Sequence, residues 1–308
     1  MKKISIVLIT ILLLMFNVAA KDVDDTKIYI KIIKQYTESC EKGELSGCTS
    51  LGVMYSEGKH IKQDQYKAAE LYKKACDGGE FLGCFNIGVM YDEGKYIKQD
   101  YSKAAESYSK SCDKGLAYGC GKLAYMYYEG RGVGQDLSKT AILFEKLCNW
   151  GNSAMCGELA SLYNNDAFAY KDDSKSMELF QKACDGGDMY SCYNLGVMYG
   201  KGEKDNIKAV KCYTKACDGG VMQGCSNLGY FYKNGYGGTT KNIFKAVELY
   251  EKACNGGDGL GCYFLAFAYH KGEGVKQDDS KVKDLFAKSC DFHFEEGCKS
   301  YAILNTKN

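Results

Sequence analysis

Residues 47–79 read GCTSLGVMYSEGKHIKQDQYKAAELYKKACDGG, and versions of this stretch recur along the chain. Its first part returns as GCFNIGVMYDEGK from Gly83 and as SCYNLGVMYGKGE from Ser191. Its second part returns as FKAVELYEKACNGG from Phe244. Successive copies are 36 residues apart with two exceptions, so the sequence predicts a repeat protein.

Each copy contains two stretches with helical spacing. In the first stretch, Leu51, Met54 and Tyr55 lie three and four residues apart, which places them on one face of a helix A. In the second, Ala68 and Tyr72 share a face of a helix B. A glycine-containing loop joins the two helices, and Asp-Gly-Gly follows helix B, where glycine supplies the left-handed cap that ends a helix.

One position in helix A always carries Gly or Ala, although glycine inside a helix costs about 1 kcal/mol relative to alanine. We therefore expect helix A and helix B to approach closely at this position. Its occupants are Gly52, Gly88, Ala124, Ala160, Gly196, Gly229 and Ala266.

Sixteen of the seventeen cysteines fall into eight C-x7-C pairs, predicted to be disulfides that join the end of one helix B to the start of the next helix A. Zinc is the competing interpretation, but C-x7-C is not a usual zinc spacing and the chain has only three histidines. No metal or cofactor is therefore predicted. The pairs are Cys40 and Cys48, Cys76 and Cys84, Cys112 and Cys120, Cys148 and Cys156, Cys184 and Cys192, Cys217 and Cys225, Cys254 and Cys262, and Cys290 and Cys298.

The remaining cysteine, Cys212, stands where other repeats carry residues such as Leu71 or Leu249. We predict a buried free thiol in place of a core leucine. A reactive or intermolecular thiol is the alternative.

The N-terminal segment 1–20 is predicted to be a signal peptide. Lys2 and Lys3 precede an apolar run from Ile4 to Phe16, and small residues end the segment at Ala20. A retained membrane anchor is the alternative, but the run is short of the about 20 residues that span a bilayer. Export agrees with the many cysteines, because disulfides persist in oxidising compartments. The expected location is secreted or periplasmic, with residues 21–308 forming the repeat domain and no stable anchor after cleavage.

Nucleic acid is not an expected partner. The chain has 40 basic and 39 acidic residues, and removal of the two lysines in the leader changes the formal charge from +1 to about −1. No long basic run remains to bind a phosphate backbone.

The unit LGVMYxEGK...KAAELYxKACDGG...GC resembles the Sel1-like repeat, a relative of the tetratricopeptide repeat. The C-x7-C pairs and the signal peptide together resemble the Helicobacter cysteine-rich proteins. The resemblance implies an all-α, right-handed α/α superhelix (solenoid) of about seven 36-residue repeats, with one disulfide per repeat. The predicted units are 47–82, 83–118, 119–154, 155–190, 191–223, 224–260 and 261–296, with cap helices at about 26–42 and 298–305.

The resemblance also implies penicillin binding or β-lactam hydrolysis, but no catalytic constellation is visible. A serine β-lactamase needs S-x-x-K together with S-D-N and K-T-G elements, and the last two are absent. S-x-x-K itself occurs five times, at Ser39 and Lys42, Ser56 and Lys59, Ser107 and Lys110, Ser111 and Lys114, and Ser280 and Lys283. The enzyme interpretation, a β-lactamase, therefore depends on resemblance alone, and the catalytic residues are unknown.

The outward positions of helix A suggest a binding surface instead. The second position after the cysteine is Asn86, Asn194 or Asn227 in three units, and such amides can bind the backbone of an extended peptide on the concave face. Tyr125 and Tyr230 are exposed-ring candidates on the same face. The expected partner is a peptide, a protein or a peptidoglycan-like ligand, with a β-lactam as a further candidate. A structural scaffold without any such ligand is the third alternative.

Overall fold

The computed structural model describes residues 27–201 and 205–306, so the predicted signal peptide lies outside the described residues. The described part contains sixteen α-helices and no strand. None of these helices is long and apolar enough to cross a membrane. The predicted all-α solenoid of helical repeats is confirmed.

Helices A and B alternate along the chain. Helix α1 spans 27–41, and α16, Glu295–Thr306, begins three residues before the predicted trailing helix. The helices A are α2 Leu45–Glu57, α4 Phe81–Glu93, α6 Ala117–Glu129, α8 Ser153–Tyr163, α10 Met189–Gly200, α12 Met222–Asn234 and α14 Gly259–Lys271. The helices B are α3 Gln65–Asp77, α5 Tyr101–Asp113, α7 Leu137–Asn149, α9 Asp173–Asp185, α11 Asn206–Asp218, α13 Ile243–Asn255 and α15 Asp279–Asp291.

The chain divides into two compact units, with the boundary inside α7. Unit 1 ends at Leu143 and unit 2 begins at Phe144. Within each unit a helix A packs on the helix B that follows it, and successive helices A also contact each other, as α2 and α4 do in unit 1 and α12 and α14 in unit 2. Grooves between adjacent helices A are therefore the places where side chains from neighbouring repeats meet.

All eight predicted disulfides are formed. Each joins the last turn of one helix to the first turn of the next, as Cys76 in α3 and Cys84 in α4 illustrate. Their Cα atoms lie between 4.3 Å and 4.7 Å apart across the set. The bridges therefore fix the shortest turns of the repeat, as the spacing predicted.

The turn after helix B uses its two glycines differently. Gly78 is the C-cap of α3 and keeps a right-handed conformation with φ of −84°, whereas Gly79 takes the left-handed one with φ of +88°. The left-handed residue is thus the second glycine. At the other end of helix B the Asp64 carboxylate accepts a hydrogen bond from the Lys67 backbone N–H at 3.0 Å, which caps α3.

The small residue in helix A lies against an aromatic ring of helix B, so the expected close approach is confirmed. A Cβ at Gly88 would lie 2.8 Å from Cε1 of Tyr108, and one at Gly229 would lie 2.6 Å from Cε1 of Tyr250. Gly52 faces Tyr72 and Gly196 faces Tyr213 in the same way. Where helix A carries alanine, helix B carries phenylalanine, as in the clusters containing Ala160 with Phe180 and Ala266 with Phe286.

We expect Gly88→Ala to lower the free energy of unfolding by about 1 kcal/mol. Overpacking against the Tyr108 ring costs about 1–3 kcal/mol, and alanine regains about 1 kcal/mol of helix propensity. The Tyr108 ring cannot shift freely, because its hydroxyl lies 3.4 Å from Oδ2 of Asp92. Tyr108→Phe removes this restraint, so the double variant should lose less stability than the two single variants summed. Denaturant unfolding of all four proteins measures this coupling, and simple additivity would contradict the proposed fit of ring and glycine.

Candidate binding groove

A groove of about 270 Å³ lies between α2, α3 and α4 in unit 1. Ser56, Gln65 and Asn86 are among the residues that line it. The groove is thus formed where two successive helices A meet above a helix B. It contains Asn86, one of the asparagines predicted to bind ligand.

The residues that line the groove include one with an amide, Asn86, and one with a phenolic hydroxyl, Tyr72. The Tyr72 ring crosses α2 at Gly52, and Tyr72 also lines the groove. Burial raises the pKa of Tyr72 to about 12, and the nearby Ser56 hydroxyl opposes part of that rise. The tyrosine is therefore neutral and able to donate a hydrogen bond at any physiological pH. Among the described residues, no hydrogen-bond partner engages the Asn86 amide, which is half-buried.

Apolar and charged side chains complete the groove. Val89 and Met90 form part of its wall, and Glu93 and Lys95 stand beside them at the end of α4. The Lys95 ammonium lies 5.1 Å from the ring centroid of Tyr96. An apolar wall beside one amide and one hydroxyl suits a ligand that alternates apolar groups with peptide bonds.

Between α4 and α6, the next two helices A of unit 1, charged side chains occupy the corresponding space. The Asp92 carboxylate accepts a hydrogen bond from the Tyr108 hydroxyl. It also lies 4.0 Å from the Lys122 ammonium and 3.8 Å from the Arg131 guanidinium. Its side chain is only 10% exposed. This space therefore lacks the open amide of the α2–α4 groove. Tyr125, predicted here as a binding residue, is half-buried on α6.

In unit 2 the two remaining asparagines are not equivalent. Burial raises the pKa of both Tyr193 and Tyr213, and the Asn227 side chain opposes the rise at each hydroxyl. Asn227 is thus engaged with two tyrosines, whereas no partner for the Asn194 amide is found among the described residues. Tyr230, the second predicted aromatic, is 41% exposed on α12.

The helix-B tyrosines are the site residues that the sequence analysis missed, because their spacing marks them as core. The sequence nevertheless contains a pattern that distinguishes these tyrosines. Glycine in helix A accompanies tyrosine in helix B at Tyr72, Tyr108, Tyr213 and Tyr250. The glycine leaves room for a ring whose hydroxyl reaches the groove between helices A.

Two of the serines considered for hydrolysis are inaccessible. Ser111 is 0% exposed, and Ser107 is buried with its hydroxyl donating to the Lys103 carbonyl at 2.7 Å. The Ser39 hydroxyl donates to the Glu44 carboxylate, and Ser39 and Lys42 line one pocket with it. β-Lactam hydrolysis therefore remains a prediction from resemblance.

Cys212 is a buried free thiol in the described part of the chain, at 7% exposure. Burial raises its pKa to about 11, so the thiolate is scarce at neutral pH. This agrees with the predicted substitution of a core leucine. The described residues contain no group of three or more His, Cys, Asp or Glu side chains suited to a metal ion.

Comparison with known families shows one match along most of the chain. The Sel1 repeat family model matches seven segments, at 45–80, 82–116, 117–152, 154–188, 190–221, 223–258 and 259–291. No curated protein matches the chain significantly.

Two solved structures have similar folds, and a third is similar in sequence over part of the chain. A protective antigen of uropathogenic Escherichia coli with an SLR fold is 26% identical, with a TM-score of 0.63, over 83% of this chain and 63% of that one. The chain thus spans less than two thirds of that antigen. A Sel1 repeat protein from Oxalobacter formigenes is 23% identical, with a TM-score of 0.74, over 83% and 75%. Cysteine rich protein B of Helicobacter pylori is 35% identical, with a TM-score of 0.36, over 44% of this chain and 96% of its own.

Proposed function

The chain belongs to the Sel1 repeat family, and on that premise we propose that it is an exported binding module that takes an extended peptide in the groove between α2 and α4. Eight disulfides support a location outside the reducing cytoplasm, in the periplasm or the medium. Repeats of this architecture use surfaces built from several units, which suits an extended partner.

The observation that carries the proposal is the open Asn86 amide beside the Tyr72 hydroxyl in one groove. An amide offers two donors and an acceptor, so it pairs with both the N–H and the C=O of a peptide bond. Val89 and Met90 give an apolar side chain a surface to pack on. Recognition of backbone by amide and of side chain by an apolar wall is the usual division of roles in extended-peptide binding.

Asn86→Ala is expected to weaken peptide binding about fivefold or more, because each of the amide's hydrogen bonds contributes about 1 kcal/mol. The melting temperature should change little, since the amide has no partner among the described residues to lose. The peptides are first selected on an array of 12-residue sequences probed with the mature, oxidised protein. Isothermal titration calorimetry then compares wild type with the variant.

Asn255→Ala is the matched control, because Asn255 is an exposed asparagine at the end of α13 in unit 2. It should bind as wild type does. An array without reproducible hits would contradict peptide binding itself. Hits that bind Asn86→Ala and wild type equally would place the peptide elsewhere.

A further inference from the structure

Unit 2 contains a buried donor without an acceptor. Tyr250 of α13 is 1% exposed, and its hydroxyl has no hydrogen-bond partner among the described residues. An unsatisfied buried hydroxyl costs about 1–3 kcal/mol. Groups of this kind are rare in folded proteins, so the hydroxyl needs an explanation.

The equivalent tyrosines of other repeats have hydrogen-bond partners at two positions of neighbouring helices. Around Tyr250 both positions carry different residues. In unit 1 the Tyr108 hydroxyl reaches Asp92, eight residues after the cysteine of α4. The same position in α12 is Lys233, which can only donate and whose ammonium is paired with the Glu273 carboxylate at 2.9 Å. Tyr250 therefore meets no acceptor on its own repeat.

The amide position of the following repeat does not supply an acceptor either, and Glu273 of that repeat, although within electrostatic range, makes no hydrogen bond with the hydroxyl. The Tyr213 hydroxyl has a hydrogen bond with the amide of Asn227, which lies two residues after the cysteine of α12. In α14 that position is Phe264, whose ring centroid lies 5.1 Å from that of Tyr250. In the groove between α12 and α14 the Tyr250 hydroxyl thus lies buried, without the hydrogen bond that the Tyr108 and Tyr213 hydroxyls have.

Aromatic rings border this hydroxyl on the surface. Tyr230 and Tyr236 are 41% and 40% exposed, and their ring centroids lie 6.0 Å apart. Tyr230 also stacks on Phe264, with centroids 6.1 Å apart and an interplanar angle of 26°. Burial raises the pKa of Tyr250, and Tyr230 and Glu273 add to the rise, so both groups lie within electrostatic range of its hydroxyl. Exposed tyrosines around a buried polar group are typical of interface hot spots.

An ion pair lies beside the Tyr250 hydroxyl. Lys233 and Glu273 neutralise each other, and their side chains are 31% and 38% exposed. A partly exposed ion pair of this kind contributes about 0–1 kcal/mol, so a ligand can displace it at little cost. Access to the buried Tyr250 hydroxyl requires local side-chain movement of this kind.

We propose that the α12–α14 groove is a second binding site, which takes an aromatic side chain of an extended peptide against Tyr230 and Tyr236 and a neighbouring peptide carbonyl on the Tyr250 hydroxyl. A single aromatic residue of a peptide presents both groups, because its backbone carbonyl carbon is two bonds from the Cβ that carries the ring. The site lies wholly in unit 2 and does not depend on ligand binding between α2 and α4.

The site can be tested with a capped amino acid instead of an unknown partner. N-acetyl-L-phenylalaninamide is titrated into the isotope-labelled full chain, with N-acetyl-L-alaninamide as the control probe, and amide shifts are followed by NMR. Millimolar binding of the aromatic probe is expected, about tenfold tighter than that of the alanine probe. Shifts should concentrate in α12 and α14. Equal response to both probes, or no response up to about 10 mM, would overturn the proposal.

Three variants separate the proposed contacts from general surface binding. Tyr230→Ala should weaken the aromatic probe about tenfold, whereas Tyr190→Ala, which removes a 67% exposed ring from α10, should not. Tyr250→Phe should weaken it about fivefold, since one hydrogen bond is lost. If Tyr190→Ala weakens binding as much as Tyr230→Ala does, the site is not in this groove.

Tyr250→Phe also has a readout without ligand. It should leave the melting temperature of the free protein unchanged or raise it, because it removes an unsatisfied hydroxyl. Tyr108→Phe, which loses the contact with Asp92, should lower it. A lower melting temperature for Tyr250→Phe would show that the hydroxyl has a partner within the protein, and the inference would fail.

Discussion

Reduction of the eight disulfides is expected to unfold the protein at 37 °C. Each bridge closes a loop of nine residues between two helices, as Cys76 and Cys84 do, and the chain-entropy model gives each about 2–3 kcal/mol. Eight such terms together exceed the about 5–15 kcal/mol that stabilise a typical domain. Each repeat contacts only its neighbours, so no long-range core compensates for the loss.

The measurement is helical circular dichroism during thermal melting, with and without a phosphine reductant. Cys212→Ser in the oxidised protein is the matched control. Serine already stands at the equivalent position of α5, where Ser107 donates to the Lys103 carbonyl. The control should melt as wild type does in the absence of reductant. If fully reduced wild type melts within a few degrees of the oxidised protein, the bridges do not stabilise the solenoid as proposed.

The repeat architecture and the bridges were predictable because both depend on local sequence. Helical periodicity and an eight-residue cysteine separation involve neighbours along the chain, and every repeat gives the same signal again. The family match to Sel1 repeats confirms the resemblance inferred from LGVMY and KACDGG. Even here a local detail was incomplete, since Gly79 and not Gly78 takes the left-handed conformation.

The candidate site was only partly predictable because it depends on contacts between repeats. Asn86 and Asn227 occupy the same position in the repeat, yet Asn227 is engaged by tyrosine hydroxyls while the Asn86 amide lines an open groove. The helix-B residue of the preceding repeat is tyrosine in both cases, Tyr72 and Tyr213, but the preceding helix A carries Tyr193 before Asn227 and Thr49 before Asn86. The unpartnered hydroxyl of Tyr250 arises in the same way, from Lys233 and Phe264 on two other helices. A single repeat does not contain this information.

Gly132→Ala is expected to lower the free energy of unfolding by about 2–4 kcal/mol. Gly132 lies in the loop after α6 with φ of +73°, where a residue with a side chain is strained. A Cβ there would lie 2.3 Å from both the backbone carbon and the carbonyl oxygen of Tyr101, the first residue of α5. Backbone of a helix cannot move aside as a flexible side chain can, so the loop must detach and lose the hydrogen bond from the Ser102 hydroxyl to the Gly132 carbonyl, 3.0 Å long.

The same loop provides the control for this prediction. Gly134 has no heavy atom within 4 Å of a Cβ, so Gly134→Ala should change the stability by less than about 0.5 kcal/mol. Denaturant unfolding of the two variants should therefore give clearly different midpoints at the same slope. Equal midpoints would mean that the loop yields without cost at Gly132. A loss at Gly132 alone would establish that the loop between helix A and helix B, the most variable part of the repeat, holds the preceding helix B in place in this unit.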